Sequence, residues 1–435
     1  MIIIGKIYVI DAPCGAGKTS WAIQEMNSRH DDSFIYCTPF LDEVGRIREA
    51  CGYSRFKEPI PYSGSKLDNF NELLAIGESV AVTHSTFLNA TPETLELLYE
   101  GGYTLIMDEA LDVVEEFNKL HSVENSPRQS MTKKDIAMLI EQGMIVIEGD
   151  HRVKWNCGEY GNDSKFAEVE RLTKLGRLYF VRDKLLVTVF PPEMFSLFES
   201  IYVLTYIFES SVLKYYFDLF GIGYEKVSLE CVVSAYTIIP YSTDADIAFR
   251  KKCKALISIC DDEKLNPNRS LSKHWYSGVD SSVFRELKND MRSFFSSCHA
   301  HSNDIMWTCP KEYKDNLSGK GFTCKRNMTK EEKRLPEKER KELEKALDCF
   351  VSCNARATNI YRDRWALAYM YNMHFNPMLI NGMFTDRGIH VDEEAYALSL
   401  LLQWICRSRI RDGKPIVIYL PSKRMRRLLT QWLDV

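Results

Sequence analysis

Along the first hundred residues, short apolar runs alternate with longer stretches of mixed character. Gly5–Asp11 (GKIYVID), rich in β-branched and aromatic residues, is predicted to be a buried strand. The small residues of Ala12–Gly17 follow as a loop, and Lys18–Arg29 reads as a helix. Ser33–Thr38, Val80–Thr83 and Thr104–Met107 read as further strands, with helices at Leu41–Ala50 and Thr91–Tyr99. Short apolar strands alternating with helices predict an α/β fold whose parallel sheet is covered on both faces. Between about 115 and 194 the pattern changes. A helix at Lys133–Gln142 precedes alternating stretches at Met144–Trp155 and Leu178–Phe190, which predicts an inserted helix-and-hairpin region. Ile201–Thr205 returns to the buried-strand pattern. A second α/β domain is expected to begin near Lys214, with strands at Ala255–Ile259, Asp304–Cys309, Cys349–Cys353 and Pro415–Leu420. Thr329–Lys345 is a charge-dense run and reads as an exposed helix or loop.

Composition narrows this picture. A chain of 435 residues, 45% of them apolar, is globular and long enough for two or three domains. The opening apolar run ends at Asp11, and no window approaches a membrane-spanning length, so the expectation is a soluble, cytoplasmic protein. The net charge of −4 does not by itself mark a nucleic-acid binder, although positive charge can be confined to one groove. The thirteen cysteines include no CxxC pair and are read as reduced, mostly buried thiols. Cys298, His299, His301, Cys309 and Cys324 cluster loosely, but only Cys298 and His301 have the close spacing that zinc prefers.

The chemistry is concentrated at two places. Ala12-Pro13-Cys14-Gly15-Ala16-Gly17-Lys18-Thr19 fits the Walker A pattern, with Ala in place of the first Gly, and Ser20 continues it into the helix. A loop of small residues can turn its N–H groups inward around phosphate oxygens, and the helix that follows directs its positive end at the same anion. Lys18 would reach the β- and γ-phosphates and Thr19 would offer a hydroxyl to Mg²⁺. The strand Thr104–Met107 ends in Asp108-Glu109, where Asp108 would hold the metal and Glu109 would orient or deprotonate the attacking water. ATP and Mg²⁺ are the expected ligands.

Walker A followed by Asp108-Glu109-Ala110-Leu111 resembles the DEAD/DEAH-type helicases of superfamily 2, and the chain is similar in character to the small helicase-like ATPases encoded by bacteriophages. Tyr36-Cys37-Thr38-Pro39-Phe40 resembles motif Ia, and Thr83-His84-Ser85-Thr86-Phe87 resembles a segment such proteins carry before the acidic motif. Leu204–Ser210 stands where motif III belongs but lacks its usual form, leaving Thr205 and Ser210 as its candidate hydroxyls. Ile305–Thr308 resembles motif IV, and Asn354–Asn359 resembles motif V. Gln403–Arg411 resembles motif VI, with Gln403 and Arg407 in register, Cys406 in place of Gly and the last arginine displaced to 411. The resemblance implies two RecA-like lobes, at about 1–211 (with the insertion near 115–194) and 212–435. It further implies ATP in the cleft between them, and movement along or unwinding of a nucleic acid, with single-stranded DNA favoured and RNA possible.

If the helix of motif VI continues, Gln403, Arg407 and Arg411 share one face and the two guanidiniums can neutralise phosphate charge. That effect amounts to ~10³–10⁵ in rate where an arginine finger acts. The competing reading is a solvated basic helix end. Lys423–Arg427 likewise reads either as a phosphate-backbone contact or as the start of a helix packed through Leu428, Leu429 and Trp432. A translocase without unwinding, a P-loop kinase and a regulatory NTPase are the alternative functions, and a protein loading partner would suit the weakly acidic chain. Cys14 lies inside the phosphate loop, so its oxidation is expected to lower nucleotide affinity. A peroxide titration should inhibit binding by the wild type and leave Cys14→Ser unaffected.

Overall fold

The computed structural model describes residues 5–52, 55–61, 64–117, 131–158, 166–262, 269–322, 330–337, 339–340, 343, 348–353 and 360–435. The chain divides into two compact units. The first comprises Met1–Asp11, Gly17–Tyr241 and Phe375–Asp392; the second comprises Ala12–Ala16, Ser242–His374 and Glu393–Val435.

The first unit is built on strands β1 (Lys6–Asp11), β2 (Phe34–Thr38), β3 (Phe56–Lys57), β4 (Ser79–Thr83) and β5 (Thr104–Asp108). The inserted region contributes β6 (Val114–Glu116), β7 (Ile145–Ile147), β8 (Val153–Trp155), β9 (Leu178–Val181) and β10 (Leu185–Val189). The chain then returns to the main sheet with β11 (Ser200–Thr205), β12 (Glu225–Val232) and β13 (Ala235–Pro240). Among the described residues the main sheet has eight strands in the order β13-β12-β1-β11-β5-β2-β4-β3, parallel except for the antiparallel pair β12–β13. All residues of β2 and β5 are buried, as expected of strands covered on both faces. Register aligns Asp11 with Thr205 and Leu204 with Asp108, so the loops after β1, β11 and β5 leave the same carboxyl edge of the sheet. In open α/β sheets that edge is where ligands bind.

The insertion follows the predicted pattern. Its helix spans Lys133–Glu141, started by a Thr132–Asp135 capping box, and the two alternating stretches are the hairpins β7–β8 and β9–β10. β6, β10 and β9 form a small sheet. A segment from far along the chain returns to it. The helix Pro377–Met383 lies so close that a Cβ on Gly382 would stand 2.6 Å from that of Val181, and Arg182 makes two 2.6 Å bonds to Asp386. Asn376 also donates to Glu116 at 3.2 Å.

The second unit carries β14 (Ile257–Ile259), β15 (Ile305–Thr308), β16 (Ala366–Tyr369) and β17 (Ile416–Tyr419), all parallel in the order β14-β17-β16-β15. Its core surrounds Trp307, Tyr276, Phe294 and Tyr419. The stretch expected as a strand at Cys349–Cys353 makes only a bridge between Phe350 and Trp307, and the sheet position is taken by β16, which sequence patterning did not pick out. Each unit is thus of mixed α/β type, built on a sheet whose described strands are mostly or wholly parallel. No described helix is long and apolar enough to cross a membrane.

The helix Val212–Phe220 and the hairpin β12–β13 belong to the first unit, downstream of the expected domain start. The hairpin turns through Val233 and Ser234, both left-handed at φ 50° and 68°. Such a turn favours Asn-Gly, and a β-branched residue there is strained. Replacing Val233-Ser234 with Asn-Gly is expected to stabilise the first unit by about 1 kcal/mol through relief of that strain, less the entropy cost of the glycine, read as a higher Tm. A lower Tm would show that the exposed Val233 makes a contact worth more than the strain.

Candidate functional site

The loop after β1 has the backbone of a phosphate cradle. Gly15 and Gly17 adopt φ of 80° and 88°, and Ala16 N–H bonds the Pro13 carbonyl at 3.3 Å. The helix Lys18–Ser28, α1, begins at Gly17 with no side-chain cap, so its first N–H groups are not satisfied by a capping side chain. Gly15 has open space where a side chain would be, whereas a Cβ on Gly17 would stand 2.1 Å from the ring of Tyr236. Glycine at 17 therefore suits the left-handed backbone, and a side chain there would have to push this ring aside.

Asp108, at the end of β5, is buried at 9% exposure. Burial, reinforced by the adjacent Glu109 carboxylate, pushes its carboxyl up to about 7. Lys18 acts in the opposite direction on both Asp108 and Asp11, so the sequence-predicted lysine and carboxylate share one electrostatic neighbourhood. Tyr36, Glu43 and Arg46 surround the same carboxyl, and Arg46 is itself paired with Glu43 at 2.6 Å. Glu109 takes a left-handed backbone, φ 68°, and its N–H bonds the Leu204 carbonyl at 2.9 Å. A non-glycine residue held there is the kind of local strain that clusters at functional positions. The hydroxyl of Thr19 and the carboxylate of Asp108 are hard oxygen donors of the kind Mg²⁺ takes. A buried carboxylate held against its own ionisation fits a metal as its partner.

The helicase-like segments acquire local roles. Thr83 caps the short helix His84–Leu88, Phe87 enters the core, and His84 Nε2 lies 3.1 Å from the Asp108 carbonyl. Asp11 accepts from the Ile207 and Phe208 N–H groups at 2.7 and 3.2 Å, and Lys226 stands 3.6 Å from the same carboxylate. Burial raises the Asp11 carboxyl while Lys226 partly restores it. Thr205 and Ser210 are buried, Ser210 bonding the Ile207 carbonyl at 2.8 Å. The sequence reading did not identify Gln24, Arg46, Tyr236 or Lys226, because none belongs to a spaced motif.

In the second unit the motif VI helix spans Glu393–Ile405 and stops. Ser408 ends it: its hydroxyl bonds the Ile405 carbonyl at 2.6 Å, its backbone is extended, and it caps a separate short turn at Arg409–Asp412. Gln403, Arg407 and Arg411 therefore do not share one helical face, contrary to expectation. Arg407 is buried in the turn after the helix and Arg411 is exposed in the next. Cys14 and Cys406 form a disulfide, with Cα atoms 6.4 Å apart across 392 residues of sequence. This corrects the reading of uniformly reduced thiols. The basic cluster at Lys423–Arg427 starts the helix Lys423–Leu433, which buries Met425, Leu428, Leu429 and Trp432. Arg424 bonds Asn372 and the Met373 carbonyl, Arg426 bonds the Leu420 carbonyl, and Arg427 pairs with Glu394, which favours the packing role. The motif V segment, with Arg356, and Cys324 lie outside the described residues.

Residues 251–433 match the YonV C-terminal Rossmann-like domain and residues 128–188 the YonV middle domain, the latter falling within the inserted region. Over 444 aligned residues, covering 99% of both proteins, the chain is 32% identical to the SPbeta prophage-derived uncharacterized protein YonV of Bacillus subtilis (strain 168). The chain belongs to the YonV family. The fold of this YonV-family protein is similar to that of a solved XPD helicase, with a TM-score of 0.52 at 11% identity over 99% of this chain and 95% of that one. A solved apo XPD gives a TM-score of 0.53 at 11% identity over 98% and 95%. This likeness shows a shared fold, a mixed α/β architecture of two RecA-like lobes with insertions.

Asp108 has a measurable consequence for stability. Its folded-state value of about 7 lies above the ordinary 3.8, so the folded protein binds the proton more tightly than the unfolded chain. Without metal or nucleotide, stability should fall as pH rises from about 4 through about 7 and stay lowered above, by an amount on the order of a few kcal/mol. Asp108→Asn should therefore melt higher than the wild type at pH 8 in EDTA, with the gap closing towards pH 5. A gap independent of pH would contradict the raised carboxyl.

Proposed function

We propose that this YonV-family protein is an ATP-dependent motor of the helicase type, acting on nucleic acid, with single-stranded DNA favoured over RNA. The observation that carries this reading is the common neighbourhood of Lys18 and the buried Asp108, at the carboxyl edge of one parallel sheet and beside a loop with two left-handed glycines. In this reading Ala12–Thr19 and Ser20 bind the triphosphate through main-chain N–H groups, with Lys18 neutralising its β- and γ-oxygens. Thr19 and Asp108 hold Mg²⁺, which when bound draws charge from the phosphates. Glu109, held with a left-handed backbone and anchored through its N–H to Leu204, orients the attacking water and accepts its proton. Gln403, Arg407 and Arg411 are the candidates for sensing the γ-phosphate. Their different exposure favours Arg407, whose buried guanidinium has less motion to lose, as the finger.

The Asp11 carboxylate connects nucleotide state to movement. It joins the strand before the phosphate loop to Ile207 and Phe208, in the motif III-like segment. A shift of the loop on hydrolysis would be transmitted to that segment through two hydrogen bonds. The likeness to XPD supports this reading at the level of fold, and the prophage-derived relative supports a phage origin for the chain.

Steady-state ATPase rates with and without single-stranded DNA, then RNA, test the proposal. Stimulation by one polymer is expected, with Glu109→Gln reducing the rate at least a hundredfold while still binding ATP. Hydrolysis indifferent to both polymers would overturn the motor reading in favour of a kinase or a partner-dependent ATPase.

A further inference from the structure

The edge hairpin β12–β13 is fastened to α1 at one residue. Gln24 donates through its side-chain amide to the Tyr236 carbonyl at 2.8 Å, and its amide oxygen accepts from the Tyr236 N–H at 2.9 Å. This two-way bond fixes the backbone of the strand beside the second turn of the helix. From there the Tyr236 side chain reaches the start of α1, where its Cε1, Cζ and Oη would stand 2.1, 2.5 and 2.8 Å from a Cβ placed on Gly17. The ring is half-buried, and Ser20, on the first turn of the same helix, is exposed.

We propose that Tyr236 forms an aromatic wall for the nucleoside end of the ATP site. The inference rests on the nucleotide-binding role given to the loop. A triphosphate held by the N–H groups at the start of α1 leaves its ribose and base to extend past that first turn, on the flank this ring occupies. Every base presents a π-face, so the ring would favour a nucleotide over bare phosphate without choosing sharply among bases. Gln24 is a positioning residue that holds the ring in place, and Gly17 lacks the side chain that would displace it.

Calorimetry on the full-length reduced protein with Mg²⁺ separates the possibilities, using ATP, ADP and inorganic tripolyphosphate as probes. Tyr236→Ala should weaken ATP and ADP binding by about ten- to a hundredfold and leave tripolyphosphate unchanged. Tyr236→Phe, which keeps the ring, should remain within about threefold of wild type, and Gln24→Ala should lose part of the affinity for ATP alone. Unchanged ATP affinity in Tyr236→Ala overturns the proposal. Equal loss of ATP and tripolyphosphate also overturns it, because the ring would then only shape the loop. Tyr236→Phe as weak as Tyr236→Ala would assign the effect to the hydroxyl and reject the aromatic wall. A wild-type protein that binds none of the three probes would instead refute the nucleotide-binding reading of the loop itself.

Discussion

The structure depends most on a carboxylate placed where little water can reach it. Asp108 ends a fully buried strand, and its neighbour Glu109 carries a second acid out of the same edge. Burying an ionised carboxylate is unfavourable unless a cation or several donors compensate. Here the compensation within the protein is partial: Lys18 and the Tyr36 hydroxyl lower the carboxyl, burial and Glu109 raise it, and burial prevails. This is the condition in which the Mg²⁺ proposed above would supply the missing charge. Much of the first unit acts to hold this arrangement. Adjacent parallel strands fix the register, His84 contacts the main chain of Asp108, and Leu204 anchors Glu109.

That arrangement was legible in the sequence because each part has a local signature. Buried parallel strands are short apolar runs, a phosphate loop is small residues ahead of a lysine, and an acidic pair after four apolar residues is conspicuous. The order of β1, β2, β4, β5 and β11, and both hairpins of the insertion, follow from period and composition alone. Elements without a local signature were missed. The β12–β13 turn uses Val233 and Ser234, so no Asn-Gly or Gly marks it, and residues 212–241, expected with the second domain, group with the first compact unit. The return of Phe375–Asp392 to the first unit rests on contacts such as Arg182–Asp386, whose partners are 204 residues apart.

Motif VI illustrates how a periodicity can mislead. Spacing by four places Gln403, Arg407 and Arg411 on one face only while hydrogen bonding continues unbroken. A single serine offers the backbone another partner, and the helix ends before Arg407. The consequence is useful for assigning roles. Two arginines that looked equivalent in sequence differ in burial, and a guanidinium ordered by its surroundings loses less freedom on meeting a phosphate than one in solvent.

Asp11 extends the same logic from binding to transmission. It is the last residue of β1, and the phosphate loop begins at the next position. Its carboxylate receives two main-chain N–H groups from the segment after β11, one of them from Ile207, whose left-handed backbone is unfavourable for a β-branched residue. Strain at Ile207 and burial of Asp11 each cost free energy, and each is offset by the bonds between them. The two bonds and the strained turn therefore support one another. If the loop beside it holds a triphosphate, as proposed above, these bonds tie that site directly to a segment 196 residues further along the chain, and packed contacts of this kind transmit small shifts better than deformable ones.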